Sequence, residues 1–179
     1  MKKSISTFLK HPTRDNANRS ANPPVIRAST ILFNSMQEMI QHEKKIKSHK
    51  NVTHYTYGRY GSTTTIELEK IIKELEQAYH VFLTGTGFGG LSLALMSLCR
   101  PGDEVLVSDN VYGPTREISE DLLKEFNIHA IFYNPEKFDD LKNKVSAKTK
   151  MILVENPGSN TFEFQDLSRI VKLAKSKNI

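Results

Sequence analysis

A chain of 179 residues, 38% hydrophobic and 25% charged, is long enough to bury one sizeable core. Its net charge of +5 comes from lysines spread over every segment, which reads as a basic solvated surface and argues against a nucleic-acid partner. The single cysteine, Cys99, excludes an internal disulfide; on an apolar helix it reads as a small core residue of a reducing compartment.

Taken in order, Met1-Lys2-Lys3 starts like a leader, but no apolar stretch follows and no run is long enough to cross a membrane. A cytoplasmic protein with no membrane partner is expected. Residues 1–30 are polar and rich in proline pairs, as in His11-Pro12 and Asn22-Pro23-Pro24, which predicts an extended arm. Ile26–Phe33 is a short strand or an irregular run. Ser35-x-x-Glu38 is a capping box opening a helix with Met36, Met39, Ile40 and Ile46 on one side, ending in the basic stretch Lys44–Lys50. The loop Tyr55-Thr56-Tyr57-Gly58-Arg59-Tyr60-Gly61 concentrates hydroxyls, stackable rings and a guanidinium fork, groups that suit phosphate or carboxylate. Thr64-x-x-Glu67 is expected to cap the next helix, with Ile66, Ile71, Leu75 and Ala78 at helical spacing.

The stretch from Val81 to Pro114 organises the remainder. Val81–Thr84 reads as a buried strand, Gly85–Gly90 as a glycine-rich turn, Leu91–Cys99 as a helix and Glu104–Ser108 as a second strand, with Pro101-Gly102-Asp103 as the stop between them. In such a βαβ unit the turn gathers backbone N–H groups and a helix dipole around an anion, most simply a phosphate. Gly85-x-Gly87-x-x-Gly90 has the dinucleotide spacing, and Asp109 lies about 20 residues further on. That leaves a nucleotide-binding oxidoreductase module using NAD as an alternative, beside the plain reading of glycines that merely allow a tight bend.

Tyr112-Gly113-Pro114 then opens another helix, placing a ring just past a strand's carboxyl end. Strands follow at Ile128–Phe132 and Met151–Val154, with a short helix over Phe138–Val145 between them. The polar loop Glu155-Asn156-Pro157-Gly158-Ser159-Asn160 precedes a helix from Leu167 to about Lys177, capped by Asp166. Alternating strands and helices predict a mainly parallel sheet flanked by helices, its ligands at the carboxyl ends of the strands. The six histidines show no metal-ligand spacing, and no metal is assigned.

Read together, Tyr57-Gly58-Arg59, the Pro101-Gly102-Asp103 turn, Thr86-Gly87-Phe88, Tyr112 in Asn-Val-Tyr-Gly-Pro-Thr, and Glu155-Asn-Pro-Gly-Ser-Asn resemble the trans-sulfuration enzymes. These are the Cys/Met-metabolism enzymes that use pyridoxal 5′-phosphate (PLP). The resemblance covers essentially the whole chain. It implies the large α/β domain of the aspartate-aminotransferase-like fold (fold type I), truncated at its C-terminal side. Residues 1–50 would be an arm and first helix, 51–179 an incomplete PLP-binding domain, and the C-terminal domain would be absent.

By that resemblance Gly87 and Phe88 match the pair whose backbone N–H groups hold the PLP phosphate, with Thr86 in the small-residue position before them. Tyr57 and Arg59 match a tyrosine and arginine that reach the same phosphate from a neighbouring subunit, so a homo-oligomer is implied. Tyr112 matches the tyrosine stacked on the cofactor ring, which also serves in proton transfer at the substrate amine. Tyr-Gly-Arg-x-Gly is closer to the bacterial cystathionine β-lyases than to relatives carrying Tyr-Ser-Arg-x-x-Asn-Pro-Thr. The implied reaction is α,β-elimination of cystathionine to homocysteine, pyruvate and ammonia.

The departure is at the far end. The family's aspartate for the pyridine nitrogen, the cofactor-bearing lysine and the arginine for the substrate carboxylate fall beyond Ile179 by family spacing. The expectation is an amino-terminal half, inactive alone, from a longer protein or a decayed gene. A non-catalytic partner of a full-length homologue is the remaining alternative.

Overall fold

The computed structural model describes residues 23–48 and 56–179. The arm before Pro23, the end of the basic stretch at His49 and Lys50, and Tyr55 lie outside the described residues. Residue contacts divide the chain into two compact units, Met1–Leu83 and Thr84–Ile179.

In the first unit, helix α1 (Met36–Lys47) starts where Ser35 accepts the Glu38 N–H on its hydroxyl. The predicted box is half formed. The Glu38 carboxylate reaches one residue further back than a box requires and accepts the Asn34 N–H at 2.9 Å. Ile26–Phe33 is irregular, with one antiparallel bridge, Thr30 to Tyr57. Gly58 is held against that run by its N–H, which donates to Ser29 O at 2.6 Å. A Cβ on Gly58 would lie 1.8 Å from Ala28 O, so the backbones approach too closely for any other residue. Gly58–Tyr60 is a single 3₁₀ turn.

Helix α2 (Thr63–Glu76) corrects the expected cap. Ser62 is the N-cap, and Thr65 closes a reciprocal box by accepting the Ser62 N–H at 2.8 Å. Thr64 faces the preceding segment instead, accepting the Ile26 N–H at 2.8 Å and donating to Pro24 O at 3.1 Å. Of the apolar residues expected at helical spacing, Ile66 is buried, Leu75 is exposed and Ala78 lies past the helix end.

Val81–Thr84 is not a strand; Phe82 and Leu83 are exposed and no described strand pairs with them. An apolar run expresses only a demand for burial, and a strand also needs an open ladder partner. The glycine-rich turn is also shorter than predicted. Helix α3 (Gly87–Leu98) begins inside it, so three of its glycines belong to the first turn of that helix.

The sheet of the second unit has three parallel strands, β1 (Glu104–Ser108), β2 (His129–Tyr133) and β3 (Thr149–Leu153), in the order β2-β1-β3. The alternation of side chains sorts them cleanly between two faces. Val105, Val107, Ala130, Phe132, Met151 and Leu153 pack with Leu95 and Cys99 of the α3 end, and with α4. That element runs from Gly113–Glu117 through a π turn, Ile118–Leu122, into Leu123–Glu125. Leu106, Ile131, Tyr133 and Ile152 pack on the other face against α5 (Phe138–Lys144) and α6 (Leu167–Lys177). Both faces being covered, β1 is a continuous apolar run, as parallel strands are. Asp166 caps α6 as expected, accepting the Arg169 N–H at 3.0 Å. Among the described residues no helix is long and apolar enough to cross a membrane.

Candidate active site

Parallel strands aim their carboxyl ends the same way, so the loops leaving β1 and β3 meet beside the start of α3. They enclose a cleft of about 420 Å³, within the usual range for small-ligand sites. Its lining is mainly apolar, with Phe88, Leu91, Val111, Leu153 and Val154, and Gly87, Tyr112, Thr115 and Glu155 add backbone, hydroxyl and carboxylate groups.

The α3 end of the cleft is an N-terminus with donors to spare. Thr86, in extended backbone, accepts the Gly89 N–H on its hydroxyl at 2.9 Å and the Gly90 N–H on its carbonyl at 3.1 Å. The N–H groups of Gly87 and Phe88 precede those two and have no carbonyl of the helix to meet. A Cβ at Gly87 would touch nothing within 4 Å, so open space lies in front of this end. The expected role of Thr86 as a small residue beside the turn is thereby refined: it is the helix cap.

Tyr112 ends the opposing loop as the N-cap residue of α4, with its carbonyl accepting from Thr115 and Arg116. Its N–H donates to Glu155 Oε2 at 2.8 Å, and its side chain is half exposed, leaving ring surface free to stack. The Thr115 hydroxyl on the same wall is buried and has no hydrogen-bond partner.

Asp109 is not free to meet a ribose. Its carboxylate is paired with Arg116, which also holds Glu120 at 3.1 Å and lies 4.2 Å over the Phe132 ring. The hydrogen bond to Asp109 is the main reason the Arg116 guanidinium is pushed above its ordinary pKa. With the acid engaged by Arg116 and the preceding strand missing, the dinucleotide spacing lacks part of its structural context.

Tyr57 and Arg59 belong to the first unit, where they form a cluster with Tyr60. The Arg59 guanidinium sits 5.5 Å and 5.2 Å from the centroids of the Tyr57 and Tyr60 rings, and Ser29 donates to Tyr57 Oη at 3.1 Å. Among the described residues no carboxylate pairs with Arg59. Cys99 is buried, and burial is the first cause raising its thiol pKa, which suits a core residue rather than a nucleophile. Among the described residues no group of His, Cys, Asp or Glu side chains is placed to hold a metal.

The model of one enzyme family, Cys/Met metabolism PLP-dependent enzyme, matches residues 6–179. The chain belongs to this family. It is 33% identical over 175 residues to a Saccharomyces cerevisiae protein assigned as a cystathionine β-lyase, covering 98% of this chain and 48% of that protein. It is 32% identical to the cystathionine β-lyase of Bordetella avium, covering 99% of this chain and 45% of the relative. The chain thus spans less than half the length of the curated relatives it matches.

Among solved structures, a Campylobacter jejuni protein assigned as an O-acetylhomoserine (thiol)-lyase, holding pyridoxyl-lysine monophosphate, superposes with a TM-score of 0.87 at 21% identity. The match covers 99% of this chain and 43% of that one. At that identity the likeness speaks for the fold, which is the PLP-dependent fold type I. Gly87, Phe88 and Tyr112 line one cleft, with Thr86 capping the helix behind them.

Residue-by-residue reading missed the polar groups behind the cleft. Ser108, Asn110, Tyr133 and Gln165 are all buried, and all are hydrogen bonded within or beneath its loops. The one available signal was a serine closing an otherwise apolar strand, since a buried hydroxyl demands partners.

Proposed function

We propose that this chain is the amino-terminal part of a PLP-dependent carbon–sulfur lyase, and that the cleft beside α3 takes the cofactor. The observation that carries this reading is the convergence of two uncommitted helix-terminal N–H groups and a half-exposed tyrosine ring on one cleft. A phosphorylated planar ring needs both, an anion site at one end and a stacking face along its length. The unpartnered Thr115 hydroxyl on the wall is a further polar demand that an occupant or water would meet.

In this reading the N–H groups of Gly87 and Phe88 hold the phosphate, and Thr86 keeps them pointed outward by capping the turn behind them. Tyr112 stacks on the ring and holds a proton near the substrate amine. Arg59, which lies against the Tyr57 and Tyr60 rings, and Tyr57 complete the phosphate site of a neighbouring subunit in a homo-oligomer. When bound, PLP supplies the electron sink that lets a proton leave Cα and a thiol leave Cβ of a sulfur amino acid, here cystathionine. The lysine that carries the cofactor is assigned to polypeptide outside these 179 residues, and no lysine of this chain is given that role. The chain by itself is inactive in elimination.

Pyridoxine 5′-phosphate, which lacks the aldehyde and so ignores surface lysines, is the probe for this site. Titrated into the purified chain and followed by its fluorescence, it should bind saturably, and Tyr112→Ala should weaken it about tenfold or more, the loss of roughly 1.4 kcal/mol or more. Cystathionine added with PLP should release no pyruvate. Binding indifferent to Tyr112→Ala, or steady pyruvate release by the chain alone, would overturn the reading.

A further inference from the structure

The side chain of Gln165 joins the carboxyl ends of all three strands. Its Nε2 donates to Ser108 Oγ, the last residue of β1, at 3.0 Å and to the Glu155 carbonyl, just past β3, at 3.2 Å. Its Oε1 accepts the hydroxyl of Tyr133, the last residue of β2, at 2.8 Å. Gln165 is 7% exposed, and its backbone is fixed by Asn156, whose Oδ1 accepts the Gln165 N–H at 2.8 Å. A primary amide offers two donors and an acceptor, and here each is used on a different strand end.

Two routes lead from this hub to Tyr112. Through Ser108, whose hydroxyl donates to Asn110 Oδ1, it holds the loop that precedes Tyr112; the Asn110 carbonyl in turn accepts the Ser159 N–H at 2.9 Å. Through the Glu155 backbone it holds the residue whose carboxylate accepts the Tyr112 N–H. The closeness of the two loops is visible at Gly158, where a Cβ would lie 2.2 Å from Asn110 Nδ2.

We infer that Gln165 is a positioning residue: it fixes the Tyr112 loop against the α3 end of the cleft without itself lining the cleft. The inference rests on the proposed stacking role of Tyr112 only for its effect on ligand binding. Its effect on the Tyr112 backbone stands apart from that reading.

The test compares Gln165→Met, which keeps length and removes the donors and acceptor, with Leu141→Val, a core truncation on the same sheet face outside the network. Both are compared with the unmodified chain by the Tyr112 amide proton shift and by affinity for pyridoxine 5′-phosphate. Gln165→Met should move the Tyr112 amide upfield, the sign of a longer bond to Glu155, and weaken the ligand about five- to tenfold, the scale of one lost hydrogen bond. Leu141→Val should lower the melting temperature and leave both readouts unchanged.

A Tyr112 amide unmoved by Gln165→Met, or moved equally by Leu141→Val, would sink the inference. Should Gln165→Met not fold, Gln165→Glu replaces it: it keeps the acceptor for Tyr133 and loses both donors, to Ser108 and to the Glu155 carbonyl, so an unmoved Tyr112 amide in that variant has the same meaning. If the unmodified chain fails to bind the probe, the proposed function falls, while the amide comparison still decides the role of Gln165.

Discussion

The backbone N–H of Tyr112 and the carboxylate of Glu155, 43 residues apart in sequence, meet at 2.8 Å across the mouth of the cleft. The bond joins the loop after β1 to the loop after β3, so the backbone position from which the Tyr112 ring projects depends on an acid outside its own loop. Glu155→Ala should therefore cost stability modestly, about 0.5–1.5 kcal/mol for a hydrogen bond at a partly exposed site. It should weaken pyridoxine 5′-phosphate more than its stability loss accounts for. Glu155→Gln retains an acceptor oxygen and should fall between the two; chemical denaturation and fluorescence titration measured together give the comparison.

The start of α3 separates folding from binding. Thr86→Ala removes the hydroxyl that accepts the Gly89 N–H and should cost about 1 kcal/mol in urea unfolding, with Thr86→Ser close to neutral. Gly87→Ala should do the reverse. Its methyl meets nothing in the protein and replaces glycine in a helix, which is worth a few tenths to about 1 kcal/mol of added stability. The same methyl stands on the cleft wall and should weaken the phosphate ligand. A stabilised variant with undiminished ligand affinity would remove Gly87 from the site.

Tyr133 gives the protein an alkaline limit. Burial pushes its phenol up to about 12, against the smaller opposing effect of the nearby Ser108 hydroxyl. An unfolded tyrosine ionises at about 10, so between these values the folded chain keeps a proton that the unfolded chain has released. Stability must then fall as pH rises through that window and be fully present below it. Tyr133→Phe should flatten this alkaline slope, at a cost of about 1 kcal/mol near neutral pH for the lost bond to Gln165. Denaturation midpoints measured as a function of pH in the two proteins check both halves of the expectation.

Gly58 is constrained by the backbone beside it rather than by a ligand. Gly58→Ala puts a methyl into Ala28 O, and the Thr30–Tyr57 bridge must open to admit it. The cost should be about 1–3 kcal/mol, that of overpacking a close contact. The ring environment of Tyr57 should change with it, readable by near-ultraviolet circular dichroism, and an unchanged spectrum would separate the two residues.

What the sequence made legible follows how local each signal is. Strands β1 to β3 are short, mainly apolar runs bounded by turns, and Asp166 stands directly before its helix, so these elements needed no distant partner to be read. Val81–Thr84 has the same local character, yet Phe82 and Leu83 stay exposed and the run pairs with no described strand. The cap of α2 was misplaced by two residues because serine and threonine fill Ser62–Thr65 without a break, and only the fold shows which hydroxyl turns inward. Gly87, Phe88 and Tyr112 were found through resemblance in several motifs together. Gln165 was not, because its meaning arises only where three strand ends, far apart in the chain, come within reach of one amide.

Burial is divided unequally between the two compact units. Val105, Leu106 and Val107 are wholly enclosed, whereas in the described part of the first unit the buried side chains are Ser62 and Ile66. In deuterium-uptake terms, amides of the central strand should exchange only through global opening, while those of α1 and α2 exchange through local opening at far smaller free energy. A protease offered the folded chain should accordingly cut before Thr84 first and leave the segment bearing β1, β2 and β3 as the last piece standing.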